Sequence, residues 1–395
     1  MENIFQITTD IFIACPKRVA GYLRQEIETL GYPIKQETIA GIYVEGTMDD
    51  CIRLNMALRC AYRVLFFIKK FRATNANELY KEIRKIEWEN ILLKDGYFTV
   101  ESYSNNETIN DTRFTSLRTK DAIADRFVEL YRKRPDSGSE KNAASVYIHW
   151  DEEEVTVYVD TSGETLAKHG YRKMPHKAPM IEGLAAANIM ATQWDKTTTF
   201  VNPMCGSGTL AIEAALMASN RAPGLLRDNY AFMHLVGYEK DFFVQEKSKL
   251  RKNIDDNISI KIIASDINET AVNAARHNAG EAGVQHLIDF QICDFKETLI
   301  EGTGGVVILN PEYGLRLGDE EELEEVYKSM GDFFKQKCKG FNCFVFTGNM
   351  YLAKKIGLKA SRRIEFYNGT IDCRLLRFEM YDGSKRLPKV ITEES

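Results

Sequence analysis

Asn310-Pro311-Glu312-Tyr313-Gly314 lines up a side-chain amide, a proline carbonyl and an aromatic ring. Those groups suit chemistry on a flat heterocycle that bears an exocyclic amine. The Asn310 oxygen and the Pro311 carbonyl can each accept an amine hydrogen, and proline adds no competing N–H. Tyr313 offers a face on which a base can stack. The stretch follows Val306-Val307-Ile308-Leu309, an apolar run that reads as a buried strand. Asn, Pro and Gly are also turn residues, so the pentapeptide alone reads equally as a strand-to-loop turn.

Three other strand ends carry useful groups. A β-branched and aromatic run from Thr199 enters a Gly206-x-Gly208 turn, and an Ala/Leu-rich helix leaves it. Glycines let a ligand approach the backbone, and a helix N-terminus presents N–H groups. Residues 260–265 read as a strand closing on Asp266, whose carboxylate can accept from ribose hydroxyls. Residues 287–293 read as a strand ending at Asp294, placed to meet an adenine edge. In doubly wound sheets, ligands sit outside such carboxyl ends. The run Gly206 to Ala211 also fits the G-x-G-x-x-A dinucleotide fingerprint, which keeps a nicotinamide oxidoreductase open. That fingerprint expects an acid about twenty residues on, and Asp228 near that spacing follows no strand. Cys205 has no evident activating partner and reads as a pocket-lining residue, not a nucleophile.

The elements that must hold these groups divide the chain. Residues 10 to about 70 read strand, helix, strand, helix, strand, a self-contained α+β unit. A second unit reads as a helix over 76–91, a strand over 97–103, a long helix over 112–134, a loop at 135–139 and a hairpin over 145–159. The long helix is rich in Arg and Lys, which predicts a solvated charged face. The third unit, 161–382, holds the four strands above. It continues with a helix over 320–338, a strand over 343–347, a helix over 351–357 and a β pair turning at Asn368-Gly369. Residues 220–258 read as an insertion with its own helix, and 383–395 as a loose tail. Parallel strands followed by an antiparallel pair match the seven-stranded fold of S-adenosylmethionine-dependent methyltransferases.

With 395 residues the chain has room for two or three domains. A net charge of −5 confines any nucleic-acid contact to local patches. Eight cysteines without a C-x-x-C pair, and scarce histidine, argue against a metal site or a disulfide framework. The N-terminal residues lack an apolar signal core and no segment approaches a membrane span, so a cytoplasmic location is expected.

Several stretches together resemble the THUMP-domain class I S-adenosylmethionine-dependent RNA methyltransferases. The nearest branch resembles the bacterial large-subunit rRNA guanine-N2 methyltransferases. The likeness rests on Phe12 to Pro16, Gly41 to Gly46, Asp160 to Arg172, Ala178 to Ala185, Asn202 to Thr209 and Arg221 to Gly224, and covers nearly the whole chain. It implies an α/β architecture. An N-terminal ferredoxin-like domain (1–70) and a THUMP domain (71–160) precede a Rossmann-like class I methyltransferase domain (161–382). It implies S-adenosylmethionine as cofactor, held by Asn202, Pro203, Cys205, Gly206, Gly208, Thr209, Asp266 and Asp294. Asn310, Pro311 and Tyr313 would be catalytic. RNA, from the large subunit or its precursor particle, would be the partner, with no membrane and no metal. The basic stretch Lys168, His169, Arg172, Lys173, His176 and Lys177 is expected to touch phosphate. Two positions depart from the family pattern: Asn202 stands where Asp is usual, and Glu312 where a second proline is usual. Guanine presents N1–H and N2–H₂ as adjacent donors, which a Glu312 carboxylate could accept. Adenine-N6 methylation, and a non-catalytic RNA-binding module, remain as alternatives.

Overall fold

Two kinds of strand build two kinds of sheet. In the N-terminal half the strands at 9–14 and 41–46 alternate buried and open positions, whereas the strands at 199–203, 262–266 and 305–309 are buried along nearly their whole length. The first pattern marks a sheet with one face on the core, the second a parallel sheet covered on both faces. The computed structural model describes residues 3–106, 111–175, 179–314 and 319–380, with only the backbone at 319 and 320. These residues form two units. One comprises Met1–Tyr171, Ile181–Ala187 and Ser219–Asp255, and the other Arg172–Met180, Asn188–Ala218 and Asp256–Ser395.

In the first unit, β1 (Thr9–Ala14), β2 (Gln36–Thr38), β3 (Gly41–Gly46), β4 (Arg63–Arg72), β5 (Tyr97–Asn105), β6 (Asp136–Gly138), β7 (Ala144–Asp151) and β8 (Glu154–Asp160) share one sheet. Its order is β2-β3-β1-β4-β8-β7-β5-β6. The ferredoxin-like and THUMP-like stretches are therefore not separate layers: β4 pairs antiparallel with β8 and fuses them. Ile11, Ile13, Val44, Phe66, Val157 and Ile148 fill the buried face.

Three expectations change here. The helix expected over 76–91 ends at Arg84, followed by a 3-10 turn at Trp88–Asn90. Buried Trp88 donates its indole N–H to the Ile83 carbonyl at 2.8 Å, taking an acceptor that a continuing helix would use. The loop at 135–139 contains the short β6, parallel to β5. The charged helix, Thr112–Tyr131, is partly locked, since Arg126 forks onto Glu89 and Arg118 lies 4.4 Å from the Tyr80 ring centre. Segment 219–255 packs in this unit, with Gly224 so close to the Met56 backbone that a Cβ would lie 2.4 Å from its Cα.

In the second unit, β9 (Thr199–Pro203), β10 (Ile262–Asp266), β11 (Ile288–Ile292), β12 (Gly305–Leu309), β13 (Phe341–Thr347), β14 (Arg362–Asn368) and β15 (Ile371–Glu379) form a seven-stranded sheet. The order is β11-β10-β9-β12-β13-β15-β14. The first five strands in that order run parallel, and β15 pairs antiparallel with β13 and β14. The β14–β15 turn has Gly369 at φ +62°, a conformation open to glycine. Val201, Val307, Leu309, Met330, Phe334 and Val345 belong to its core. Burying each such side chain contributes about 1.5–3 kcal/mol.

Candidate active site

The chain runs outward from β9 through β10 to β11, then returns to place β12 on the other side of β9. That reversal makes a switch point, where doubly wound sheets bind ligands. The four strand ends singled out by sequence are therefore neighbours: Asp294, Asp266, the 202–209 turn and the 310–314 loop follow one another along the sheet.

Backbone bonds hold the turn after β9. Cys205 N–H donates to the Ser265 carbonyl and Gly208 N–H to the Cys205 carbonyl, both at 2.9 Å. Gly208 sits at φ +83°, and a Cβ there would come 2.7 Å from that of Ala275. At Gly206 a Cβ would meet nothing within 4 Å, so this side of the turn faces open space. The Asp266 carboxylate accepts from Gly206 N–H through one oxygen and from Asn268 N–H through the other, each at 2.9 Å. Each oxygen keeps a second lone-pair direction for a ligand. Asp294 is half-buried, accepting from Lys296 N–H at 2.9 Å and pairing with Lys296 Nζ at 3.1 Å. Burial pushes the Cys205 thiol pKa up, which suits a lining residue rather than a nucleophile.

Asn202 ties the two halves of the site. It is 1% exposed, and its Nδ2 donates to the Ile308 carbonyl of β12 at 3.0 Å. An aspartate could not make that bond, because a carboxylate has no N–H. The Asn202 Oδ1 is buried and has no hydrogen-bond partner among the described residues.

The 310–314 loop is folded on itself. Tyr313 donates its hydroxyl to Asn310 Oδ1 at 2.9 Å, and its ring meets Phe346 edge-on at 6.3 Å. The Tyr313 ring, expected as an open stacking face, is half-buried here. Pro311 is buried and Glu312 exposed.

The basic stretch does not stay together. Lys168 and His169 belong to the first unit, Arg172 and Lys173 to the second. Lys168 and Lys173 are exposed, as phosphate contact requires. His169 is 1% exposed with its Nε2 at 3.0 Å from the Arg59 carbonyl, an internal position out of reach of phosphate. Arg172 also turns inward, donating to the Met180 carbonyl and, at 3.0 Å, to the Thr209 hydroxyl at the start of the helix Thr209–Ala218. His176 and Lys177 lie outside the described residues.

One residue of the site was missed. Asn278 is fully buried, accepts from Lys173 and Met174 N–H at 3.0 and 2.9 Å, and donates to the Ser207 carbonyl at 3.2 Å. It clamps the Gly-rich turn to segment 173–174. Its signal was an asparagine on the apolar stripe of a helix, beside Ala271, Val272, Ala274, Ala275 and Ala279. Among the described residues no His, Cys, Asp and Glu group could hold a metal, and no helix is long and apolar enough to cross a membrane.

Comparison with known proteins adds three family matches. An RMKL-like methyltransferase domain matches residues 169–377, an RlmL ferredoxin-like domain 10–65 and a THUMP domain 73–160. A Syntrophotalea carbinolica protein named ribosomal RNA large subunit methyltransferase K/L is 34% identical over 93% of this chain and 53% of its own length. The chain thus spans about half the length of the K/L relatives it matches. A Synechocystis sp. protein, named as a candidate RNA methyltransferase, is 31% identical over 96% of this chain and 99% of its own. The crystal structure of SMU.472, a candidate methyltransferase complexed with SAH, superposes with a TM-score of 0.86. It is 27% identical and covers 95% of this chain and 99% of that one.

Proposed function

The chain belongs to the family of RMKL-like methyltransferase domains, and from that premise we propose that it transfers a methyl group from S-adenosylmethionine to an exocyclic base nitrogen in RNA. We assign the target as guanine N2 in large-subunit (23S) ribosomal RNA. The observation that carries the reading is the adjacency of β9 and β12, whose ends carry the glycine turn and the Asn310-Pro311 loop.

The residues present fit the cofactor. Asp266 keeps lone pairs for ribose hydroxyls, Gly206 borders open space, and the unpartnered Asn202 Oδ1 suits a donor such as an ammonium group. When bound, S-adenosylmethionine supplies an electrophilic methyl on sulfur. The protein's task is to prepare the nitrogen. A guanine N2 lone pair is delocalised into the ring and is a poor nucleophile. Asn310 Oδ1 and the Pro311 carbonyl would hold the two N–H bonds and favour a pyramidal nitrogen, its lone pair drawn out of conjugation with the ring. Asn310 Oδ1 retains a second lone pair for this while Tyr313 occupies the first. Such positioning and electrostatic preorganisation require no covalent enzyme intermediate. Glu312 supports guanine over adenine: its exposed carboxylate can accept from N1–H, a donor that adenine lacks.

Sequence relatives named for ribosomal RNA and the THUMP match support RNA as substrate. The test is methyl transfer from labelled S-adenosylmethionine to ribosomal RNA of cells lacking this gene, with nucleoside analysis. N2-methylguanosine in the large-subunit RNA is the expected product. N6-methyladenosine would overturn the base, and absence of both transfer and cofactor binding would favour an RNA-binding module.

A further inference from the structure

The loop that must aim the amine is not stiff by itself. Glu312 leaves φ unrestrained at the point where a proline ring would set it. Two consecutive carbonyls are caught instead by side chains from elsewhere in the second unit. Tyr327, fully buried in the helix Asp319–Lys337, donates its hydroxyl to the Glu312 carbonyl at 3.1 Å. Asn349 Nδ2 donates to the Tyr313 carbonyl at 3.0 Å. Behind Tyr327 the bonds run in one direction. Asn349 N–H donates to Thr347 Oγ1 at 3.0 Å, and the Thr347 hydroxyl, 2.9 Å from Tyr327 Oη, can donate onward. Chains of this kind strengthen one another in a low-dielectric interior. Burial pushes the Tyr327 phenol pKa up, so its proton stays available for the Glu312 carbonyl.

We infer that Tyr327 and Asn349 are positioning residues, which pin the Glu312 and Tyr313 carbonyls and thereby hold Asn310 and Pro311 in register with the target amine. The inference rests on the proposed methyl transfer. It gives each residue a role in turnover without contact with substrate or cofactor.

Asn349 allows a clean separation of roles. Its Oδ1 accepts from Tyr351 and Leu352 N–H, both at 3.0 Å, and caps the helix Met350–Lys355. Asn349→Asp keeps that acceptor, since aspartate is also a good N-cap, and replaces the donor to the Tyr313 carbonyl with a carboxylate oxygen. Tyr327→Phe keeps the ring and removes only the hydroxyl.

The experiment compares both variants with the wild type in three ways. These are kcat and KM on RNA, affinity for S-adenosylhomocysteine, and hydrogen exchange of the peptide spanning 310–314. Each variant should lose about tenfold in kcat and exchange faster in the loop, because small misplacements near a reacting centre are expensive. KM for S-adenosylmethionine and product affinity should not move. Glu312→Pro alone serves as the reference, because it also removes the carboxylate assigned to guanine. Adding Glu312→Pro to Asn349→Asp should restore kcat and slow exchange to the level of that reference, a rescue that general destabilisation would not give. Wild-type kcat in both variants, or a loss that the proline fails to rescue, overturns the inference. A wild type that methylates no RNA, while the variants still loosen the loop, upholds the anchoring and overturns the function.

Discussion

The chain uses Asn-Pro twice, at 202–203 and 310–311, each at the end of one of two neighbouring parallel strands. The two copies live in different surroundings. Asn202 is sealed in, and the turn after it is held by backbone bonds to Ser265, by the Asp266 carboxylate and by its own glycines. Asn310 is half-buried, in a loop held by its own Tyr313 and by side chains at positions 327 and 349. A site that must receive the same small molecule every time can be built from backbone. Under the proposed function, a site that admits a base drawn from RNA keeps Asn310 nearer the surface and borrows its stiffness from behind.

The contrast can be broken at either end. Asn310→Ala should have the largest effect, lowering kcat about 10²–10³-fold, as losing a preorganised polar group does. Affinity for S-adenosylhomocysteine, measured by calorimetry, should be unchanged; near-normal turnover would remove Asn310 from the chemistry. Asp266→Ala should do the reverse. It should weaken S-adenosylhomocysteine binding about 10–100-fold, the worth of hydrogen bonds to a charged group, and spare kcat at saturating cofactor. Unchanged affinity would show that Asp266 serves only the Gly206 N–H.

Asn202→Asp probes the seam between the copies. It removes the donor to the Ile308 carbonyl and should cost about 1 kcal/mol, seen as a fall in Tm of about 2–4 °C. An unaltered Tm would mean that the bond is not a net tie between the strands. Glu312→Gln should be the mildest, reducing the preference for guanine over adenine about threefold through the loss of one acceptor. If competing guanine and adenine oligonucleotides are methylated in the wild-type ratio, Glu312 plays no part in base choice.

Much of this site was readable from local pattern. Apolar runs ending in Asp266, Asp294 and Asn310, and a glycine turn after β9, are strand-period signals that need no partner to be recognised. The basic stretch was readable only as composition. Two of its residues point inward, His169 to the Arg59 carbonyl and Arg172 to Thr209, because buried polar atoms of the fold needed donors or acceptors there. Asn278, Tyr327 and Asn349 were not singled out for a related reason. Each sits in or beside an ordinary helical pattern, and its importance lies in backbone N–H or carbonyl partners 15 to 105 positions away in sequence.

By itself the sequence determined most of the order of the elements and the polar groups at four strand ends. The tertiary structure alone decided that β9 lies between β10 and β12, that β4 and β8 merge two apparent domains into one sheet, and which side chains hold the 310–314 loop. Local pattern records which residues prefer burial and with what period. Strand neighbours and buried hydrogen-bond partners are chosen by packing between distant segments, where every hidden donor and acceptor must be satisfied at once.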